Sequence, residues 1–284
     1  MTGAEATQIA APSTAPSVDR GSPRHRLAKW LRQNSPAIAT LVAFVAAWEI
    51  VGRIWNFLYL PPLSKVLSAM WQLIADGTIP REMAASLFAL AVGMAIAIVL
   101  GLAIGTLMGI FPVIRATLDT YVDAMMAAPT VAFVPLFILL FGLGFPTRVA
   151  AVILFAIFPL IINAQAGARA VDQDLTEMGR SFGARRFQMF REIRLPMAYP
   201  HIQAGLRMGV ARGVDGMMTG EVLIAAVGLG GLLGRFGNAF TMDKLYAVIL
   251  VLLALVLVAE RLVVVLGWLF VPFGRHRVAV RASS

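Results

Sequence analysis

Apolar side chains fill six stretches of this chain, and short polar segments separate them. The stretches run over residues 36–55, 84–110, 120–141, 148–168, 199–223 and 245–270. A helix rises about 1.5 Å per residue, so about 20 apolar residues cross a hydrocarbon core about 30 Å thick. The pattern therefore predicts an all-α integral membrane protein with about six transmembrane helices.

Composition agrees with a membrane protein, since 59% of the 284 residues are hydrophobic, 14% are charged and the mean hydropathy is +0.81. Residues 36–272 are predicted to form the transmembrane domain. Residues 1–35 are polar and basic, and they predict a disordered cytoplasmic tail. The apolar run that starts at Pro36 has full membrane length, which predicts an uncleaved first span. Residues 273–284 are predicted to form a cytoplasmic C-terminal tail.

Lys and Arg outnumber Asp and Glu by 24 to 15, and their positions predict topology. If the six spans alternate in direction, 15 Lys and Arg fall in the segments on one side and four on the other. Cytoplasmic segments carry the excess of basic residues, so both termini are predicted to be cytoplasmic. The basic charge thus indicates orientation in a lipid bilayer, and no nucleic-acid partner is predicted.

The third and fifth stretches hold residues that are unusual in a membrane helix. Pro129 and Pro135 each remove a backbone hydrogen bond, which favours a kink beside a pathway, although membrane helices also tolerate proline. Arg207, Arg212 and Asp215 would cost about 9 kcal/mol in lipid, so the fifth helix is predicted to face the bundle interior, with Glu221 towards its outer end. Glycines at three- and four-residue steps predict close helix packing: Gly205, Gly209, Gly213, Gly216 and Gly220.

Arg212 and Asp215 are three residues apart and can pair on one helix face. Two roles remain open for them, a buried structural ion pair or contact with a polar solute. The six residues proposed to line a translocation pathway are Pro129, Pro135, Arg207, Arg212, Asp215 and Glu221.

Enzyme chemistry finds little support in the sequence. The chain has no cysteine and three scattered histidines, so no catalytic or metal site is predicted. The phosphate-binding loop G-x-x-x-x-G-K-[ST] is absent, because none of Lys29, Lys65 and Lys244 follows a glycine. No cofactor is predicted in this chain, and energy for uphill transport would have to come from another subunit.

Residues 170–197, here called the arginine-rich segment, interrupt the apolar pattern. Seven charged residues lie between Glu177 and Pro196 and oppose burial in lipid by roughly 20 kcal/mol, so the segment is predicted to lie in water. Its spacing resembles a motif of ABC importer permeases, which reads E-A-A, three residues, G, nine residues, I-x-L-P. The matching residues are Glu177, Met178, Gly179, Gly183, Ile193, Leu195 and Pro196.

Met178 and Gly179 replace the two alanines of that motif. The stretch SFGARRFQMFREIRLP is also similar to the version found in the nitrate, taurine and aliphatic sulfonate importer group, and so is LPPLSKVL from Leu60. A set of third-span residues agrees with the same group: Pro129, Ala132, Pro135, Leu136, Phe141, Gly142 and Gly144.

The resemblance implies a type I ABC importer permease fold and a multi-pass protein of the bacterial plasma (inner) membrane. It implies a homodimer, two ABC ATPase subunits that bind ATP and Mg, and an extracytoplasmic solute-binding protein. The solute would be small and polar, such as a sulfonate, nitrate or taurine-like anion. The residues implied to couple the permease to the ATPase are Glu177, Met178, Gly179, Phe182, Gly183, Phe187, Phe190, Ile193, Leu195 and Pro196.

The residues themselves predict how this segment is built. Gly183 permits a left-handed turn between two short helices, and Pro196 is expected to limit the second helix before the fifth span. Met178 with Phe182, and Phe187 with Phe190, would offer apolar faces to a partner. An amphipathic hairpin on lipid headgroups is the alternative. For the whole chain, the alternatives are a membrane scaffold that does not transport and an ATP-independent channel or carrier.

Overall fold

The structure, a computed structural model, describes residues 23–54, 59–224 and 227–270. These ranges contain helices and no strands. The α-helices are α1 (Pro23–Ile54), α2 (Leu63–Ala75), α3 (Thr78–Ile110), α4 (Pro112–Ala127), α5 (Val134–Phe141), α6 (Phe145–Arg169), α7 (Gln173–Ser181), α8 (Arg186–Gln188), α9 (Leu195–Ile224), α10 (Gly228–Asn238) and α11 (Met242–Phe270). A 3-10 helix covers Thr130–Phe133, and a π-helical segment covers Met189–Arg194.

Three of the described helices are long and apolar enough to cross a bilayer, namely α3, α6 and the Met242–Val265 part of α11. Two bent pairs also qualify if each pair counts as one span: Pro112–Ala127 with Thr130–Phe141, and Arg186–Ile224 with Gly228–Asn238. The described helices therefore provide three to five spans. The all-α membrane class is confirmed, whereas the predicted number of six spans is not.

Helix α1 begins at Pro23, inside the stretch 1–35 that was predicted to be a disordered tail. Proline is favoured at the first helical position, and the Arg, Leu, Ala and Lys residues that follow it are good helix formers. The structure thus departs from the predicted boundary over residues 23–35. The rest of that tail and the C-terminal tail 273–284 lie outside the described residues.

The predicted third span is not one helix. Helix α4 and the stretch Thr130–Phe141 meet at an angle of 96°. Pro129 lies in the break, immediately before the 3-10 helix, and Pro135 lies in the first turn of α5. A proline in a first turn interrupts no hydrogen bond, because the first N–H groups of a helix have no partner within it. The two prolines therefore mark one sharp break rather than two gentle kinks.

Helix α6 forms the centre of the bundle, with α3 on one side and α9 on the other. The buried core between the three helices consists of Leu90, Met94, Ala97, Val152, Ala156, Leu160, Val214 and Met217. Each helix contributes apolar residues at three- and four-residue steps, which places them on one face. A second core joins α2, α10 and α11 and includes Val66, Leu73, Leu229, Leu232 and Val248.

The glycine stripe of α9 packs as predicted. All five of its glycines are buried, and side chains of α3 and α6 occupy the space where a Cβ would lie. A Cβ on Gly209 would stand 2.9 Å from Cγ of Leu160, and one on Gly213 would stand 2.6 Å from Sδ of Met94. The stripe thus allows α9 to approach both neighbours closely.

Helix α2 is amphipathic, with Val66, Ala69 and Leu73 buried against α11. Its N-terminus is held by Glu49 of α1, whose carboxylate accepts hydrogen bonds from the Ser64 backbone N–H at 3.0 Å and from the Ser64 hydroxyl at 2.8 Å. Trp48 of α1 donates its ring N–H to the Pro61 carbonyl at 3.1 Å. These contacts attach α1 to the α2 end of the bundle.

Candidate functional site

The arginine-rich segment folds into two short helical pieces joined by a tight turn. Helix α7 begins after Asp172, whose carboxylate accepts the Asp174 N–H at 2.9 Å. It ends at Ser181, and Gly183 two residues later has a φ of +76°. The Gly183 N–H bonds to the Arg180 carbonyl, and the Ala184 N–H bonds to the Gly179 carbonyl, both at 2.9 Å. The left-handed turn predicted at Gly183 is confirmed.

The two pieces pack against each other at Gly179. A Cβ on this glycine would lie 2.8 Å from Cδ1 of Ile193, and the sulfur of buried Met189 is 3.9 Å away. Position 179 therefore requires a small residue. This contact explains physically why the motif combines a small residue at position 179 with an isoleucine at position 193. Glycine fits more easily here than alanine would.

Three apolar side chains of the segment point away from the bundle. Met178 is 55% exposed, Phe182 is 83% exposed and Phe187 is 70% exposed. Phe190 is 54% exposed and also lines a cavity between the segment and the membrane helices, so it is shared between that cavity and the surface. The outward apolar surface is therefore formed by Met178, Phe182 and Phe187, and large exposed apolar groups of this kind mark interaction surfaces.

Pro196 does not end the second helical piece, so this part of the prediction is wrong. From Arg186 the chain is helical through α8 and the π-helical segment into α9 without a break. Proline lacks an N–H and its ring displaces the carbonyl four residues earlier. The π-helical turns just before Pro196 change the hydrogen-bond spacing, and such turns accommodate an irregular site inside a continuous helix. The segment is thereby joined rigidly to α9.

Arg207, Arg212 and Asp215 do not lie inside the single-chain bundle. All three side chains are exposed, whereas the glycines of the stripe are buried. The ion pairs found among the described residues do not include Arg212 with Asp215, so the predicted pair is not formed. The charged residues are exposed because the glycines form the face of α9 that packs against the bundle.

Glu221, the fourth polar residue predicted in the fifth span, is fully buried at the other end of α9. Its carboxylate accepts hydrogen bonds from the Ser86 hydroxyl at 2.8 Å and from the Gly230 backbone N–H at 3.0 Å. Arg148 of α6 lies 3.5 Å from it and is itself buried. The carboxylate is thus paired and hydrogen-bonded, as a buried charge must be to avoid a large desolvation cost.

A second carboxylate, Glu82 of α3, lies beside this network. It accepts the Gly228 N–H at 2.7 Å and pairs with Arg235 at 3.2 Å. The Ser86 hydroxyl accepts the Leu229 N–H at 2.9 Å. The first three N–H groups of α10 therefore each bond to a side chain of α3 or α9, and the two negative charges suit the positive end of the helix dipole.

This polar cluster, formed by Glu82, Ser86, Arg148 and Glu221, holds α10 against the spans. Sequence reasoning selected Glu221 but missed the other three residues and α10 itself. Glu82 and Ser86 are four residues apart at the start of an apolar run, and Arg148 stands at the start of another. These isolated polar residues in apolar runs were the available sign of a buried polar cluster, but only the fold brings them together. Within the described residues, no three His, Cys, Asp or Glu side chains are grouped to hold a metal ion.

The fold defines a class, that of an all-helical membrane protein with a charged helical segment between two of its long helices. Residues 97–267 match the family described as "Binding-protein-dependent transport system inner membrane component", and the chain belongs to this family. It is an ABC importer permease.

Individual relatives cover most of the chain. The taurine transport system permease protein TauC of Escherichia coli (strain K12) is 29% identical over 236 residues, which cover 81% of this chain and 86% of the relative. The riboflavin transport system permease protein RibX of Chloroflexus aurantiacus is 34% identical over 259 residues, which cover 87% of this chain and 96% of the relative. The putative aliphatic sulfonates transport permease protein SsuC of E. coli K12 is 33% identical over 229 residues, which cover 80% of this chain and 86% of the relative.

Proposed function

We propose that this chain is the membrane subunit of an importer whose ATP is hydrolysed by a separate subunit, and that the arginine-rich segment binds that subunit. The observation that carries the proposal is the built turn at Gly183, which presents Met178, Phe182 and Phe187 outward from a water-exposed, charged segment. The continuous helix from Arg186 into α9 supports a mechanical link. Movement of the segment would be transmitted directly to a helix that carries exposed polar residues.

The assembly proposed around this chain has a second identical permease copy, two ABC ATPase subunits that bind ATP and Mg, and an extracytoplasmic solute-binding protein. The chain is proposed to be multi-pass in a bacterial inner membrane, with both termini in the cytoplasm. The concentration of arginines in the 170–197 segment supports this orientation, since basic segments stay on the cytoplasmic side. The lipid-headgroup hairpin remains the competing role for the segment.

The purified chain is expected to show no ATPase activity of its own, because its sequence lacks a phosphate-binding loop. Activity should appear when the cognate nucleotide-binding subunit is added, and it should increase further with the solute-loaded binding protein in proteoliposomes. Phosphate release measured for the permease alone, the ATPase alone and the mixture checks this. ATP hydrolysis by the permease chain after removal of contaminating ATPases would contradict the proposal, and a chain that conducts solute without ATP would favour a channel or carrier.

We propose a small polar anion as the solute. Two arginines against one aspartate on the exposed face of α9 support an anion, and two relatives are named for taurine and aliphatic sulfonates. Another relative is named for riboflavin, so a larger organic solute is the competing proposal. A thermal-shift assay of the cognate binding protein against taurine, an alkanesulfonate, nitrate and riboflavin would identify the class of solute.

The exposed face of α9 is proposed to line the pathway between two permease copies. Asp215→Ala should therefore change transport without unfolding the chain, because Asp215 is exposed and forms no ion pair within the described residues, and surface changes of this kind cost less than about 0.5 kcal/mol. The measurements are ATP-dependent uptake in proteoliposomes and the apparent unfolding midpoint in detergent. Asp123→Ala, on exposed α4, is the matched control.

Unchanged uptake by Asp215→Ala, with the same rate and the same solute preference as the control, would exclude a pathway role. A large loss of unfolding midpoint would instead favour the structural role. Replacing Arg212 and Asp215 together by apolar residues separates the two roles further, since residues with a purely structural role would tolerate that exchange.

A further inference from the structure

A cavity of about 850 Å³ lies between the arginine-rich segment and the ends of the membrane helices. Four arginines line it, each from a different element, together with one acid, Glu177. Arg115 comes from the first turn of α4, Arg169 from the end of α6, Arg180 from α7 and Arg194 from the π-helical segment. We call this space the basic cavity.

The positive charge of the basic cavity is not balanced within the described part of the chain. Arg115 lies 4.0 Å from Asp119, at the limit of an ion pair, and none of the ion pairs there includes Arg169, Arg180 or Arg194. The single carboxylate of Glu177 cannot neutralise four guanidinium groups. Guanidinium groups bind phosphate oxygens through two parallel hydrogen bonds, so several of them around one space favour a phosphate group.

The other wall of the basic cavity is apolar and reaches into the depth of the membrane helices. Leu102 lies about 12 Å before the end of α3 at about 1.5 Å per residue, and Ile202 lies about 10 Å past the start of α9. Both residues line the cavity, with Ala164 and Ala168 of α6 between them. A free inorganic anion would use only the arginine end of this space. A lipid would use both ends.

We propose that the basic cavity binds an anionic phospholipid, with its phosphate group on Arg180 and Arg194 and an acyl chain along the wall formed by Leu102 and Ile202. Basic pockets between membrane helices are suited to anionic headgroups. The bound lipid would lie between the arginine-rich segment and the bundle, while Phe182 and Phe187 stay free on the outer surface. The proposal does not depend on the proposed function, because lipid binding can be measured on the permease chain alone.

The test is native mass spectrometry of the purified full chain in detergent, titrated with dioleoyl phosphatidylglycerol or dioleoyl phosphatidylcholine. The wild-type chain should retain phosphatidylglycerol in preference to phosphatidylcholine. In Arg180→Gln/Arg194→Gln the affinity for phosphatidylglycerol should fall at least tenfold, because two positive charges and the paired N–H donors of two guanidinium groups are removed. Arg191 is exposed like Arg180 and Arg194 but does not line the cavity, so Arg191→Gln removes a charge from the same segment and should bind like the wild type.

Equal phosphatidylglycerol binding by the double variant and the wild type would overturn the proposal, as would equal binding of the two lipids. A second experiment adds millimolar inorganic phosphate to the lipid-bound chain. If phosphate displaces the lipid completely and stabilises the wild type as well as phosphatidylglycerol does, the site binds a free anion and the lipid assignment is wrong. Circular dichroism checks folding. Should the double variant not fold, Arg180→Gln and Arg180→Lys are compared, and only the first should lose binding strongly.

Discussion

Gly183→Val is expected to uncouple ATP hydrolysis from solute uptake in the assembled transporter, lowering uptake at least tenfold. Gly183 has a φ of +76° and no atom within 4 Å of the position its Cβ would take. The effect of valine therefore comes from the backbone alone. A left-handed conformation costs an ordinary residue about 1–2 kcal/mol, and a β-branched residue tolerates it poorly. The turn would open and move the outward apolar surface of Met178, Phe182 and Phe187.

The measurements are ATP hydrolysis and uptake in the same proteoliposomes, with membrane insertion and binding-protein docking as checks. Gly183→Asn should retain far more uptake than Gly183→Val, because asparagine adopts the left-handed conformation more readily. Gly237→Val is the matched control, since Gly237 also has no neighbour within 4 Å but has no positive φ.

Crosslinks placed at positions 182 and 187 should reach the ATPase chain. If they reach only lipid while Gly183→Val remains normally coupled, the segment is a lipid-bound hairpin and the docking proposal is wrong. If Gly183→Val releases the ATPase instead of uncoupling it, the docking role still stands, because the outward surface has been displaced in either case.

Glu221→Ala is expected to destabilise the chain strongly. The substitution removes the acceptor for the Ser86 hydroxyl and the Gly230 N–H, and it leaves the buried Arg148 charge without its partner. Breaking a buried ion pair from one side costs about 3–5 kcal/mol. For a chain of this size that corresponds to a fall of about 10 °C in the unfolding midpoint. Transport should be lost with the folded protein.

Tryptophan fluorescence in detergent at one fixed heating rate provides the measurement, because membrane proteins often unfold irreversibly. Glu192→Ala removes an exposed carboxylate and should leave the midpoint unchanged. The double variant Glu221→Ala/Arg148→Met should recover part of the loss, since no buried charge is then left unpaired. Equal midpoints for Glu221→Ala and Glu192→Ala would contradict the structural role of the cluster.

Features that depend on neighbours in sequence were predicted well. The apolar runs of α3, α6 and α11 have membrane length, and the turn at Gly183 follows from the one residue type that adopts a left-handed backbone without cost. The glycine stripe of α9 was also readable, because helical periodicity places Gly205, Gly209 and Gly213 on one face. Local geometry decides each of these features.

Helix α10 could not be predicted from its own sequence. Glycine is a poor helix former, and the stretch GLGGLLGRFGN contains five of them. The helix forms because Glu82, Ser86 and Glu221 accept its first N–H groups and because Leu229 and Leu232 are buried in the second core. Glu82 and Ser86 are 146 and 143 residues away from the N–H groups that they accept, so nothing near α10 in the sequence indicates these two partners.

The sequence by itself determined the membrane class, the charge of the arginine-rich segment and the permease resemblance, because hydropathy, charge and motif spacing are properties of the chain. The tertiary structure decided which side of each helix is covered. It placed Arg212 and Asp215 outside the bundle and Glu221 inside it, although all three belong to one apolar helix, because the α9 glycines pack against α3 and α6. It also gathered four arginines from four elements around one cavity, since packing, unlike sequence spacing, sets the distance between remote residues.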